Sequence, residues 1–303
     1  MSHYKKEEVN PSKTLPVIED SDNICALGVN RDGTNICMSD IAIKQISDQL
    51  KKSNIPESSL TEKKDVIEQI KKKTNCNDEI CILNDYSVSL TDEQREEEKK
   101  RIKPKGPADS DKLLHDGNID TVLSNLTIVF KDFKHMKFQM IDFDGLKDSS
   151  GNWIQKGNQY ITPTELGTVD MVNDVIKKGY KTFGVVLNTD TRNNRGEHWF
   201  CLFCDFRVSP FTVEYFNSSG NKPYPQIQDW MAKTCAQIKQ AGYSVVKKPL
   251  VGTMHQIDSE TECGPYSLYY IYNRVEGVPS DNFQGTRITD AQMLEFRKKL
   301  FRK

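Results

Sequence analysis

A chain of 303 residues, 36% of them hydrophobic, is long enough for one large domain or two smaller ones, and its net charge of −1 offers no basic surface for nucleic acid. No apolar run approaches the roughly 18 residues needed to cross a membrane, and MSHYKKEEVNPSKTLP at the start lacks the apolar centre of a signal peptide. Eight cysteines in such a chain predict reduced thiols in a cytosol-like compartment.

Residues 1–108 read as a helical N-terminal arm. Its first 20 residues carry too few apolar groups to offset ordering entropy, which predicts flexibility there. SDIAIKQISDQLKKSN places Ile43, Ile46 and Leu50 on one helical face. TEKKDVIEQIKKKTN does the same with Val66, Ile67 and Ile70. TDEQREEEKKRIK opens with a capping box, Thr91 to Gln94, but is charged nearly all round, which predicts a solvated helix. Cys25, Cys37, Cys76 and Cys81 are numerous enough for a four-thiolate zinc site, although their spacing is loose for one. Lys103 to Asp111, KPKGPADSD, reads as a linker.

Residues 109–303 have a different texture. NIDTVLSNLTIVFKDF predicts a helix with Leu123, Leu126, Val129, Phe130 and Phe133 as its apolar set. FQMIDF, TFGVVLNTD, HWFCLFCDF and FTVEYFNSS read as strands. Cys201 and Cys204 lie three apart on one of them and so point to opposite faces, which suits buried thiols better than a redox pair or metal clip. YPQIQDWMAKTCAQIKQAG is a helix with Ile227, Trp230, Met231 and Ile238 inward, and YSVVKKPLVG is a further strand. ITDAQMLEFRKKLF carries a capping box, Thr289 and Gln292, with an Ile288–Met293 staple. There are no internal repeats. The fold class is α+β.

TECGPYS, Thr261 to Ser267, bears on chemistry. Pro265 falls in the first turn of an apolar helix that Gly277 ends, so Cys263 sits at a helix N-terminus. The partial positive charge there predicts a lowered thiol pKa, suited to a nucleophile. A buried structural cysteine fits the same pattern. A nucleophilic thiol needs a base. Of five histidines, His3 lies in the polar start, His115 in a loop and His135 among lysines. His198 opens the strand HWFCLFCDF. A hairpin centred near Arg207–Val208 pairs it with Asn217, whose carbonyl then fixes the imidazole tautomer. The plainer version is an edge histidine beside a turn asparagine. Gln256, seven residues before Cys263, is placed to donate to an oxyanion or to be an ordinary surface amide, and His255 reads as a loop residue.

The chain order His198, Asn217, Gln256, Cys263 is the reverse of papain's, where cysteine comes first. It resembles the adenovirus-protease and ubiquitin-like-protease (SUMO-protease) superfamily. Within it, FGVVLNTD, HWF, EYFNSSGN, TECGPYS, RITDAQMLEFRKKLFR and CNDEICIL are similar to the branch of polyprotein-processing cysteine proteases of the African swine fever virus type. The likeness is strong from Lys181 to Lys303 and weaker from Cys76 to Tyr180. One departure is the seven-residue spacing from Gln256 to Cys263, which looks one residue longer than in that branch, where Glu260 would be a second glutamine.

The resemblance implies a papain-like catalytic domain of the ubiquitin-like-protease type, with a mixed sheet flanked by helices. It implies a thiol endopeptidase with catalytic His198, Asn217, Cys263 and Gln256, needing no metal or cofactor. It further implies cleavage after Gly-Gly in viral structural polyproteins during virion maturation, in host cytoplasm and virion. Trp199 would roof a tunnel too narrow for side chains, or else pack in the core. The alternatives are a deconjugase for ubiquitin-like modifiers, a same-fold acetyltransferase, and a virion structural protein with a vestigial site. Oligomeric state is left open.

Overall fold

The computed structural model describes residues 24–29, 34–52, 62–85, 88–109, 112–157 and 159–303. The expectations for the first 20 residues and His3, and for the side chain of Leu50, lie outside these. In the arm, α1 (Asp40–Lys52), α2 (Lys63–Thr74), α3 (Glu79–Asn84) and α4 (Asp92–Lys99) pack around one small core. Ile43, Ile46, Val66, Ile67 and Ile70 are buried there with Ile82, Leu83 and Ile102, as their helical spacing requires.

Two expectations for the arm are corrected. Cys25 is bonded to Cys37 and Cys76 to Cys81, so these four thiols are neither reduced nor free for zinc. A core this small gains from cross-links that restrict its unfolded chain. The α4 helix does open on the Thr91–Gln94 capping box, yet it is not simply solvated. Arg95 and Glu98 are buried. The Arg95 guanidinium donates to the carbonyls of Leu83 and Asp85, both at 2.9 Å, and to that of Val88. Glu98 accepts the Ser39 N–H at 2.8 Å. Short helices leave many unpaired backbone groups at their ends, and these two charges satisfy some of them.

The Pro/Gly stretch after the arm runs pinned along the C-terminus. Lys103 Nζ donates to the Lys298 carbonyl at 3.1 Å, and Arg302 Nε to the Lys103 carbonyl at 3.0 Å. A side chain at Gly106 would strike the Phe301 ring at 2.3 Å. The arm also meets α5 (Asp116–Val129), through Asn125 Nδ2 on the Ile102 carbonyl at 3.4 Å and a Lys131–Glu97 ion pair at 3.2 Å just beyond that helix.

The rest is a mixed sheet between helical layers. Its strands are β1 (Phe133–His135), β2 (Gln139–Met140), β5 (Thr182–Asn188), β6 (Trp199–Asp205), β7 (Phe211–Phe216) and β8 (Val245–Leu250), and a separate ribbon holds β3 (Gln155–Lys156) and β4 (Gln159–Tyr160). The order is β1-β5-β6-β7-β8, with β2 also on β5. β5, β6 and β7 are antiparallel neighbours, whereas β1, β2 and β8 pair in parallel. Of FQMIDF only two residues enter the sheet. Phe133 belongs to β1 and not to the preceding helix, which stops at Val129 as Phe130 leaves helical geometry.

β5–β7 are buried on both faces, so they read as near-continuous apolar runs. One face carries Val186, Cys201, Phe203 and Phe216 against α5, α8 (Cys263–Val275) and α9 (Asp290–Leu300). The other carries Phe183, Leu202, Cys204 and Val213 against α7 (Pro225–Gln240), the short α6 (Glu165–Thr168) and the helical turns at 171–178. Cys201 and Cys204 thus point to opposite faces, and burial pushes both thiols far up.

Arg95→Ala should remove the guanidinium from the carbonyls of Leu83, Asp85 and Val88, of which Val88 keeps the Leu90 N–H. The expected cost to the arm is roughly 2–3 kcal/mol, seen as earlier urea unfolding and faster proteolysis within residues 24–102. Unchanged protection there would show that the guanidinium is dispensable.

Candidate active site

Three element ends meet at one edge of the sheet. β6 begins at Trp199, so His198 is the last residue of the incoming loop. β7 ends at Phe216, so Asn217 is the first residue beyond it. α8 begins at Cys263, with Pro265 in its first turn.

The hairpin register differs from the one expected. Cys201 pairs with Phe216 and Asp205 with Thr212, which sets His198 diagonally across from Asn217 instead of opposite it. Phe206 leaves the ladder to donate its N–H to the Lys181 carbonyl at 2.8 Å, and the loop becomes Phe206–Pro210. A slip of two residues keeps every side chain on its own face. The contact therefore survives, with His198 Nε2 2.7 Å from Asn217 Oδ1.

The direction of that bond is fixed by its neighbours. Asn217 Oδ1 also accepts the Ser219 N–H at 3.0 Å and the Ser219 hydroxyl at 2.8 Å, and Asn217 Nδ2 donates to the Tyr215 hydroxyl at 3.0 Å. A backbone N–H can only donate, so Oδ1 is the acceptor and His198 must carry its proton on Nε2. Nδ1 is left with a lone pair. Sequence reasoning missed Ser219 and Tyr215. The signal for Ser219 was the turn-forming NSSG run itself.

The same turn seats Gln256. The Ser218 carbonyl accepts the N–H groups of His255 at 2.8 Å and Gln256 at 3.1 Å, and the Ser218 hydroxyl donates to Gln256 Oε1 at 2.8 Å. Gln256 Nε2 donates to the Ser259 carbonyl at 2.7 Å. Gly220 has φ +69°, and a side chain there would meet the Thr253 carbonyl carbon and oxygen at 2.9 Å, so only glycine lets the two loops approach. His255 is a bolt behind this loop. It is buried, takes the Ile288 N–H on Nδ1 at 3.1 Å and bonds through Nε2 to the Phe283 carbonyl at 3.2 Å.

The Cys263 thiol lies against the backbone N–H groups of Trp199, Gly264 and Cys263 itself. A Cβ at Gly264 would come within 3.1 Å of Leu114. The expected lowering of the thiol pKa is not found. Burial pushes it up more than those N–H groups pull it down. Burial likewise pushes the His198 imidazole down, against the pull of its Asn217 bond. At rest the thiol of Cys263 and the imidazole of His198 are both neutral, and the imidazole keeps one nitrogen free.

Comparison with known proteins shows the family. Residues 185–303 match the profile of the Ulp1 protease family, C-terminal catalytic domain. Over 239 residues the chain is 35% identical to a cysteine protease of African swine fever virus (isolate Tick/Malawi/Lil 20-1/1983), covering 77% of this chain and 86% of that protein. The counterpart from isolate Pig/Kenya/KEN-50/1950, named a SUMO-1 cysteine protease, matches with the same identity and coverage. The chain belongs to the Ulp1 family of cysteine proteases. The crystal structure of the protease of African swine fever virus superposes with a TM-score of 0.65 at 30% identity, covering 96% of this chain and 99% of that one.

In this Ulp1-type protease a groove of about 470 Å³ runs past Trp199, walled also by Leu113, Leu114, Phe138, Met140 and residues of the loop 192–197. Trp199 is 7% exposed and belongs to the apolar core, so it is a packed wall. Its indole N–H donates to the Leu114 carbonyl at 3.0 Å, and Phe138 meets it edge-on at 5.9 Å. No helix among the described residues is long and apolar enough to cross a membrane.

Burial holds His135, His198 and His255 below the ordinary imidazole value of 6.5. Below that pH the unfolded chain binds more protons than the folded one, so stability is fully present above it and is lost as pH falls. Urea midpoints should therefore drop between pH 7.5 and pH 5. The acid limb of kcat/KM should also lie below 6.5. An acid limb above that value would mean that His198 is not held neutral.

Proposed function

We propose that this protease is an endopeptidase that cleaves after Gly-Gly in viral structural polyproteins during virion maturation. Cys263 is its nucleophile, His198 its base and Asn217 the group that orients the base. The observation that carries the reading is the one-way bond from His198 Nε2 to Asn217 Oδ1, which leaves Nδ1 free for a thiol proton.

In the reaction Nδ1 takes the Cys263 proton as Sγ attacks the scissile carbonyl. The oxyanion accepts the Cys263 N–H at the helix start and the second N–H of Gln256 Nε2, whose first N–H is held by the Ser259 carbonyl and whose Oε1 is held by the Ser218 hydroxyl. His198 then protonates the leaving amine, and the C–N bond breaks to give a thioester. Water, deprotonated by His198, releases the acid and the thiol. Neutral groups before attack suit a buried site, because charge then develops only as the amides are placed to receive it.

The groove walled by Trp199, Leu114 and Phe138, with the Trp199 backbone beside the thiol, is the surface along which the Gly-Gly segment would lie in this reading. We place the enzyme at host cytoplasmic assembly sites and in the virion. The two disulfides of the arm suit a particle outside the reducing cytosol. A second reading, deconjugation of ubiquitin-like modifiers, is favoured by the name SUMO-1 cysteine protease borne by relatives.

One panel separates these readings: Gly-Gly-X peptides, a viral polyprotein fragment, a SUMO fusion and acetyl-CoA. Polyprotein and peptide cleavage with little fusion cleavage is expected. Preference for the SUMO fusion would establish the deconjugase, and acetyl transfer would displace both. Cys263→Ser and His198→Ala should each lower kcat by about 10³-fold or more. Asn217→Ala should cost less, and Asn217→Asp should keep substantial activity. Wild-type cleavage by Cys263→Ser would refute the nucleophile.

A further inference from the structure

We propose that Arg297 is a positioning residue for this site, its guanidinium tying the residue ahead of the nucleophile to the segment that holds Trp199. The inference rests on the reading of Cys263 as nucleophile. Arg297 and Glu262 are both fully buried. Arg297 Nη2 donates to Glu262 Oε1 at 2.6 Å and Nε to Oε2 at 3.2 Å. Nη2 also donates to the Thr261 carbonyl at 3.1 Å, and Nη1 to the Lys112 carbonyl at 2.7 Å.

These bonds close a circuit around the thiol. Lys112 leads into Leu114, whose carbonyl takes the Trp199 indole N–H at 3.0 Å and whose side chain lies against Gly264. The Trp199 backbone N–H faces the Cys263 thiol. Cys263 follows Glu262, which returns the path to Arg297. A shift of one corner moves the others.

Stability alone does not account for this pair. A buried ion pair is often matched or bettered by apolar residues of similar volume. Glu262 also stands at the N-cap of α8, where a carboxylate ordinarily caps the first N–H groups, yet its side chain makes no capping bond and turns to Arg297. Only a planar fork reaches two carboxylate oxygens and two carbonyls at once, so lysine cannot substitute geometrically.

The pair has an electrostatic consequence as well. Glu262 opposes ionisation of Cys263, and Arg297 offsets that charge. The other charged or titratable neighbours are His198 ahead of β6 and, one turn along α8, Tyr266, bonded to Asp290 beside Arg287.

The test uses the full chain with Arg297→Lys, Arg297→Met and Glu262→Gln/Arg297→Met. Measured quantities are kcat and KM on a Gly-Gly-X peptide, the pH dependence of iodoacetamide labelling at Cys263, and the melting temperature. All three variants should lose roughly 100-fold in kcat with KM little changed. In Arg297→Met the labelling midpoint should move to higher pH. In the double variant it should return while kcat stays low, a split that a purely structural role would not produce. If Arg297→Met does not fold, the neutral double variant and Arg297→Lys decide by the same kcat criterion. Wild-type kcat in either folded variant, or an unshifted midpoint in folded Arg297→Met, would overturn the role of Arg297 alone. Cleavage retained by Cys263→Ala would instead overturn the site assignment, and this role with it.

Discussion

The backbone ladder between β6 and β7 decides where the polar groups of this molecule can meet. Its last rung, Cys201 with Phe216, leaves His198 and Asn217 just outside the pairing, on strand ends that face the same way. Inside the ladder these side chains would be buried among the aromatic residues of the sheet. Outside it they are free to bond with each other and with loops, while the rungs behind them keep the separation fixed. The α8 helix, packed across β6 on the face of Cys201 and Phe203, brings its N-terminus to the same edge. The site is a product of where regular structure stops.

How far this was legible in the sequence depends on how local each cause is. The helix at Cys263 announces itself through Gly-Pro and an apolar run, because proline in a first turn is a property of a few adjacent residues. β5, β6 and β7 were equally plain, since burial on both faces leaves a run of apolar letters. The hairpin register was not, because its five-residue loop depends on a bond from Phe206 to Lys181, which lies beside another strand. Phe133 was misplaced for a similar reason. The helical period of Leu126, Val129, Phe130 and Phe133 runs on past the end of α5, and what removes Phe133 is its pairing with Thr182. The disulfides escaped because connectivity is not a property of spacing.

Charged residues were the hardest to read. Arg95, Glu98 and Arg297 sit in helices whose charge pattern suggests solvent, and each is buried against partners from distant segments. Pattern reasoning assigns a charge to the surface because an unpaired buried charge is costly. It has no means of foreseeing that Leu83, Ser39 or Lys112 will supply the partners. The arm and the catalytic core use the same solution: a guanidinium or carboxylate closes chain segments whose carbonyls and amides no helix or strand can satisfy.

Burial also explains why the sequence argument about the thiol pointed the wrong way. A helix N-terminus does favour an anion, and three N–H groups do face Cys263. The same packing that aims them removes water, and for a fully buried thiol the lost solvation is the larger effect. Desolvation works oppositely on the two partners, raising the acid and lowering the base, so neither is charged at neutral pH. In the proposed reaction, proton transfer from thiol to imidazole would create two charges where there were none. The oriented amides around Cys263 and the Asn217 carbonyl behind His198 are already in place to receive them, and that prior arrangement is what a dry site needs in order to react.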